Sequence, residues 1–173
     1  MKYFILIMIS RSINNEDNEI LKKFYNEIYG DKHIINNLDY HDWQFKKNPF
    51  NNMDTKSILI IENKSKIFGH LGLFPIELKI FDDKRLAAWY MAFHVREECR
   101  VLGLGQILAN HCAKFFPITL ALNDSIDSRK LFDKNGWHNF FNLNRYIGVI
   151  NTKKIDKFLD KTNNAGQVSF EIT

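Results

Sequence analysis

"CRVLGLGQIL", residues 99–108, places Gly103 and Gly105 one residue apart in an apolar run directly behind Arg100. Glycine inside a strand or helix costs roughly 0.5–1 kcal/mol against alanine, so this run is not an uninterrupted core element. The preceding "RLAAWYMAFHV" (85–95) reads as a strand, and "GLGQILANHCAKFF" (103–116) reads as a helix with Ile107, Leu108 and Cys112 on one stripe. The glycines therefore fall where a strand ends and a helix begins. Such a junction points unpaired backbone N–H groups at one spot, with the positive end of the helix dipole behind them. A phosphate or pyrophosphate fits there when no side chain blocks its approach. Two readings stay open. The glycines keep that approach free, with Arg100 adding a fixed charge on the lip, or they simply permit a tight turn. The run is neither a dinucleotide fingerprint nor a Walker loop: no third glycine follows at the needed spacing, and no Gly-Lys-Ser/Thr occurs.

Upstream of the junction, "KSILIIEN" (56–63), "IFGHLGLFPIELKIF" (67–81) and residues 85–95 form three strands joined by tight turns, an antiparallel meander. Before them, "NNEDNEILKKFYNEIYG" (14–30) reads as a helix closed by Gly30. Residues 31–52 are a polar, aromatic-rich connection with one short helix, ending at Pro49. The N-terminal apolar run, Tyr3 to Ile9, is too short to span a bilayer, and no small-residue cleavage site follows it. It reads as a buried first strand. Downstream, 117–122 is a short strand, 125–136 a helix ended by Gly136, and 137–150 a strand. A helix over 152–162 and a strand over 167–173 complete the series. The fold class is α+β, a mixed and mostly antiparallel sheet flanked by helices. The expected organisation is one domain over 1–150 and a C-terminal helix and strand over 151–173, which could open a further region.

Composition sets outer limits. The 173 residues are 45% hydrophobic and 25% charged, enough for one domain with a real core. The net charge of +4 comes from scattered Lys and Arg, which argues for an anionic small molecule and against nucleic acid. The two cysteines, Cys99 and Cys112, imply no disulfide framework and a reducing cytoplasm. No membrane and no metal are expected.

The stretch "VREECRVLGLGQIL" (95–108) resembles the acyl-CoA-binding motif of the GNAT family of N-acyltransferases, Arg/Gln-x-x-Gly-x-Gly/Ala, here on Arg100, Gly103 and Gly105. "SRKLFDKNGW" (128–137) resembles that family's second motif, Leu-Tyr-x-x-x-Gly-Phe, and the order of elements from 1 to 150 matches as well. "HDWQFKKNPF" (41–50) followed by "IFGHLGLFPIELKI" (67–80) resembles a subgroup found with bacterial surface-polysaccharide genes; the alternative is that Trp43, Phe45 and Phe50 merely cover one end of the sheet. The chain also departs from the family. Val101 stands where a glycine is common, Phe132 replaces a tyrosine that many members use to protonate the departing thiolate, and Trp89 and Met91 fill positions where others carry a catalytic Glu or His.

The resemblance implies an acetyltransferase using acetyl-CoA, or another short acyl-CoA, as co-substrate. The backbone of Phe93, His94 and Val95 would pair with the pantetheine arm. Arg100, Val101, Leu102, Gly103, Leu104, Gly105 and Gln106 would hold the pyrophosphate, and Asn123 and Ser128 would bond the arm further along. An amine then attacks the thioester directly, and juxtaposing the two substrates can supply roughly 7–11 kcal/mol. A thiol of pKa about 8.5 lies only about 2 kcal/mol from its ionised form at pH 7, so a missing acid is tolerable. A lysine-like amine of pKa about 10.4 costs about 4.6 kcal/mol to present neutral. A sugar amine is less basic and asks less.

The expected acceptor is therefore a primary amine on a nucleotide-linked sugar, with Trp43 stacking and Lys46 meeting a diphosphate. Alternatives are a peptide, polyamine or antibiotic amine, or a non-catalytic acyl-CoA-binding module. His70 is the candidate base or amine-orienting group, against a purely structural reading; His94 is a weaker candidate, because alternation turns its side chain away from the face of Phe93 and Val95. Cys112 reads as core. A homodimer is compatible with the family.

Overall fold

The computed structural model describes residues 8–51, 57–63, 66–122 and 125–139. The chain divides into two units, Met1–Trp137 and His138–Thr173. Of the strand expected over 137–150, residues 137–139 carry no strand and the rest lies outside the described residues, as do the elements expected over 152–162 and 167–173, Asn123 and the first residues of the N-terminal strand.

The strands are β1 (Ile9–Ser12), β2 (Ile58–Asn63), β3 (Lys66–Ile80), β4 (Asp83–Val95) and β5 (Ile118–Leu120). The helices are α1 (Asn18–Tyr29), α2 (Leu38–Phe45), α3 (Leu104–Cys112) and α4 (Ile126–Lys134), with 3-10 turns at Asn15–Asp17, Ile34–Asn36 and Glu97–Leu102. The five strands lie in chain order in one sheet. All neighbours are antiparallel except β4 and β5, which pair in parallel. This is the mixed, mostly antiparallel α+β architecture that the patterning implies.

The continuous apolar run of β2 reflects burial on both faces of the sheet. Leu59 and Ile61 join Leu108, Cys112 and Phe116 in one core. Ile58 and Ile60 join Leu21, Phe24, Tyr25 and Phe45 in a second core on the opposite side. Helix α1 reaches that second core through Leu21, Phe24 and Tyr25, one stripe at helical spacing. Arg11 of β1 fixes its entry, gripping Asp17 with both terminal nitrogens at 2.6 Å and Glu62 at 2.8 Å. That guanidinium holds the Asp17 carboxyl below its usual range.

The pairing of β3 with β4 breaks once. His70 opposes His94 and Gly72 opposes Met91, so two residues of β4, Ala92 and Phe93, face Leu71 alone. This is a β-bulge. Ala92 takes the left-handed conformation, φ +48°, which costs a non-glycine residue roughly 1–2 kcal/mol. Its carbonyl, turned out of the ladder, accepts from His70 Nδ1 at 2.8 Å and from the Tyr29 hydroxyl at 3.4 Å.

Gly72, one step along β3, carries the ring of Phe45 from α2. A Cβ there would stand 2.7 Å from Phe45 Cε1 and 2.8 Å from the Met91 carbonyl oxygen. Backbone lies on one side and a core ring on the other, so neither neighbour can yield cheaply. Gly72→Ala is expected to cost about 1–3 kcal/mol through overpacking, read as a fall in Tm of roughly 2–12 °C; calorimetry showing an unchanged Tm would refute this account of how α2 docks.

Candidate active site

Strand β5 pairs with β4 only across Ala87–Trp89. Residues 90–95 of β4 run on without that partner, and a cleft of about 500 Å³ opens beside their end. One wall is Phe93, His94 and Val95; the floor is Arg100, Gly103, Gly105 and Gln106. The far wall is the first face of α4 and its cap: Ser125, Asp127, Ser128, Leu131 and Lys134.

The two glycines serve different ends. Gly103 sits at φ +72°, closing the 3-10 turn and opening α3, and a Cβ there would meet nothing within 4 Å. Its requirement is conformational. Gly105 has ordinary helical backbone, but a Cβ would come 3.2 Å from Leu131 and 3.4 Å from Phe93, so it lets α3 approach α4 and β4 closely. The tight-turn reading therefore holds for Gly103, and close packing, which the spacing alone did not reveal, holds for Gly105.

What the junction offers a ligand is backbone. No side chain caps the start of α3. At α2, by contrast, Asn37 Oδ1 accepts from the Tyr40 amide at 3.0 Å, and at α4 Ser125 Oγ accepts from the Ser128 amide at 3.2 Å. The first amides of α3 are thus left to whatever occupies the cleft. Arg100 and Lys134 supply positive charge around them. This donor set fits the diphosphate of an acyl-CoA.

Most of the residues expected to touch acyl-CoA come together here: Phe93, His94, Val95, Arg100, Gly103, Gly105, Gln106 and Ser128 all border the cleft. Val101 and Leu102 do not; they stand exposed at 90% and 57% on the 3-10 turn. The side chain of Leu104 is buried in the core, leaving only its backbone for a ligand. The Gln106 amide exchanges hydrogen bonds with Asn135 at 2.7 and 2.9 Å, tying α3 to the end of α4. Asp127 and Lys134 lie on the cleft unforeseen, although the spacing of 127, 131 and 134 marks one helical face. Asp127 accepts from Arg100 at 2.9 Å.

His70 lies elsewhere. It is fully buried and stacks on Phe24. A carbonyl only accepts, so Nδ1 carries the proton toward Ala92, and Nε2 accepts from the Tyr25 hydroxyl at 2.9 Å. Burial pushes its pKa down to about 4. Both nitrogens are engaged and neither reaches the cleft, so this geometry corrects the expectation of a base at His70 and gives it a positioning role at the bulge. Trp43 and Lys46 do not line the cleft either. Trp43 packs beside Phe74, whose partner Trp89 precedes His94 by five residues, about 16 Å along a strand. Lys46 is paired with Asp42 at 2.8 Å. Phe132 is buried against Trp137, ring centroids 4.3 Å apart. Cys112 is buried in the core, its thiol pushed up to about 11 by burial.

The family model of the acetyltransferase (GNAT) family matches residues 18–137. The chain belongs to that family. GNAT acetyltransferases use acetyl-CoA, and the cleft described above lies at the motif that carries the resemblance. No curated protein matches the chain. Solved structures share the GNAT fold. A predicted acetyltransferase with acetyl-CoA from Clostridium acetobutylicum aligns with TM-score 0.60 at 12% identity, over 82% of this chain and 96% of that one. Glucosamine-6-phosphate N-acetyltransferase from Arabidopsis thaliana aligns with TM-score 0.58 at 16% identity, over 82% and 99%. An aminoglycoside acetyltransferase from an uncultured soil metagenomic sample, in complex with trehalose, aligns with TM-score 0.58 at 12% identity, over 82% and 96%. Among the described residues no group of three or more His, Cys, Asp or Glu could hold a metal ion, and no helix is long and apolar enough to cross a membrane.

Two outcomes follow for this GNAT site. The Asp127 carboxylate competes with an anionic ligand for Arg100. Because the pair is largely exposed, Asp127→Asn should tighten coenzyme A binding by only about 1.5- to 5-fold, less at high salt; calorimetry that finds weaker binding would contradict it. The second concerns pH. His70 is neutral in the fold with its pKa lowered to about 4, whereas the unfolded chain takes up a proton near 6.5. The unfolded state binds more protons in that window, so stability is complete above about 6.5 and is lost as pH falls toward 4. Denaturant unfolding should show a loss of about 2 kcal/mol between pH 7 and pH 5, a slope that His70→Gln abolishes whatever its own cost.

Proposed function

We propose that this acetyltransferase transfers an acetyl or other short acyl group from acyl-CoA to a primary amine on a sugar, by direct attack with both substrates bound. One observation carries the acyl-CoA half: an uncapped helix start at Gly103, flanked by Arg100, opening into a cleft beside the unpaired end of β4. In the complex, the amides at the start of α3, with Arg100 and Lys134, would hold the diphosphate. The free edge of β4 at Phe93–Val95 would run beside the pantetheine arm. The thioester supplies the activated acyl carbon, and this chain's part is to hold it beside the amine.

The sugar amine is supported by how weak a base the cleft offers. Its titratable side chains among the described residues are His94, Arg100, Asp127 and Lys134, and Asp127 is already engaged by Arg100. The one imidazole, His94, is held below its usual range, which suits an amine whose neighbouring oxygens already depress its basicity, since a lysine-like amine asks for about 4.6 kcal/mol at pH 7. Two of the structurally similar enzymes act, by name, on glucosamine-6-phosphate and on aminoglycosides, which agrees with an aminated sugar. The nucleotide-linked form would rest on Trp43 and Lys46, neither of which lines the cleft.

Thiol release from acetyl-CoA, followed with a panel of amines, tests this directly. Amino sugars, free and nucleotide-linked, should turn over with kcat/KM at least tenfold above lysine peptides and polyamines. The reverse ranking would replace the acceptor class. Tight coenzyme A binding with no thiol release from any amine would make the chain a binding module.

A further inference from the structure

We propose that His94 is the catalytic base of this enzyme, taking the proton from the acceptor amine where the end of β4 meets the cleft; the inference rests on the reading of the chain as an N-acyltransferase. Of the six histidines in the chain, His94 alone borders the described cleft. Four of the others are committed elsewhere, and the fifth, His138, falls in the second unit. His70 is enclosed with both nitrogens bonded. His111 Nδ1 is 2.8 Å from Ser10 Oγ, and His33 Nδ1 accepts from the Ile35 amide at 3.2 Å. His41 packs between Tyr25 and Phe45.

His94 is held but not consumed. Its ring lies edge-on to Phe24 at 6.0 Å and to Tyr29 at 6.4 Å, both on α1. Neither of its ring nitrogens has a hydrogen-bond partner among the described residues. The half-buried ring therefore has a fixed orientation and a free lone pair. Beyond Trp89, β5 no longer pairs with the edge of β4. Phe93 and Val95 turn toward α3, while His94 turns toward α1. A thioester seated along Phe93–Val95 from the α3 side would leave its acyl carbon open to an amine arriving from the α1 side, past His94.

The charges around His94 keep it ready. Burial, Arg100 and Arg96 disfavour the imidazolium, Glu98 favours it, and the balance lowers its pKa below the usual 6.5. Facing it, Tyr29 on α1 is a neutral phenol, pushed up to about 12 by burial, and His70 on β3 is neutral; Asp127 and Lys134 stand across the cleft on α4. At neutral pH the imidazole is free to accept. In the step, the ammonium proton passes to the ring and the nitrogen lone pair forms the bond to the acyl carbon. The C–S bond breaks, the sulfur leaves with that electron pair, and the second proton lost by the nitrogen passes through solvent to the thiolate, while the imidazolium releases its proton to water. The sum is R–NH3+ plus acyl-S-CoA giving acyl-NH–R, HS-CoA and H+.

The experiment uses the whole chain, acetyl-CoA and the best amine from the panel. His94→Gln and His94→Ala should lower kcat by at least about 100-fold, with coenzyme A affinity by calorimetry within threefold of wild type as proof of an intact cleft. Added imidazole should restore part of the rate to the Ala variant alone. In wild type, kcat/KM should rise with pH through a limb centred below 6.5 that both variants lack. A variant rate within tenfold of wild type, or a pH limb below 6.5 that persists unchanged in both variants, would overturn the assignment while leaving the acyltransferase reading intact. Absence of thiol release by wild type with every amine would overturn that reading and, with it, this one.

Discussion

The hydrogen bond from His70 to the Ala92 carbonyl is the constraint on which the working half of the molecule depends. A left-handed alanine in the middle of a long strand is an unfavourable conformation. A turned-out carbonyl in a dry core would add a further cost if it had no partner. His70 answers both, and Tyr25 answers His70 in turn. Helix α1, which carries Tyr25 and Tyr29, thus sets where β4 changes course. The extra residue shifts every later side chain of β4 to the other face, which is how Phe93 and Val95 come to line the coenzyme side and His94 the side of α1.

The two cores explain why such a device is affordable. The apolar run of β2 is shared between them, so the centre of the sheet is braced on both faces. Only the far end of β4 lacks that bracing, and there the chain can leave the ladder and expose backbone. Arg96 closes the arrangement from outside, donating to the Ile67 carbonyl at 2.6 Å and lying over the ring of Phe24. The rigid centre and the open end belong to one strand.

Much of the frame was legible in residue order. Strand and helix periods, the Gly30 and Gly136 stops and the glycine junction at 103–105 located the elements and the floor of the cleft. Four things were hidden, each because it depends on contacts between distant segments. Local pattern marks Gly105 as turn chemistry, yet its small size serves Leu131 and Phe93. His70 stands on a meander strand where its residue type suggests a base, but the α1 aromatics that enclose it cannot be inferred from neighbouring residues. The bulge at Ala92 shifts alternation along β4, and alanine gives no sign of a positive φ. Trp43 and Lys46, adjacent in sequence to other aromatic and basic residues, are carried by α2 to another part of the sheet.

The ion pair between Arg100 and Asp127 has a bearing on which anions the cleft admits. A ligand with a single negative charge arriving at Arg100 merely exchanges one carboxylate for another and gains almost nothing. A ligand with several oxyanions displaces Asp127 and also reaches the bare amides of α3 and the Lys134 ammonium, none of which Asp127 satisfies. The resident carboxylate therefore tilts the cleft toward polyvalent ligands, by no more than the few-fold that an exposed ion pair is worth, a bias that needs no contact with the adenine or the sugar.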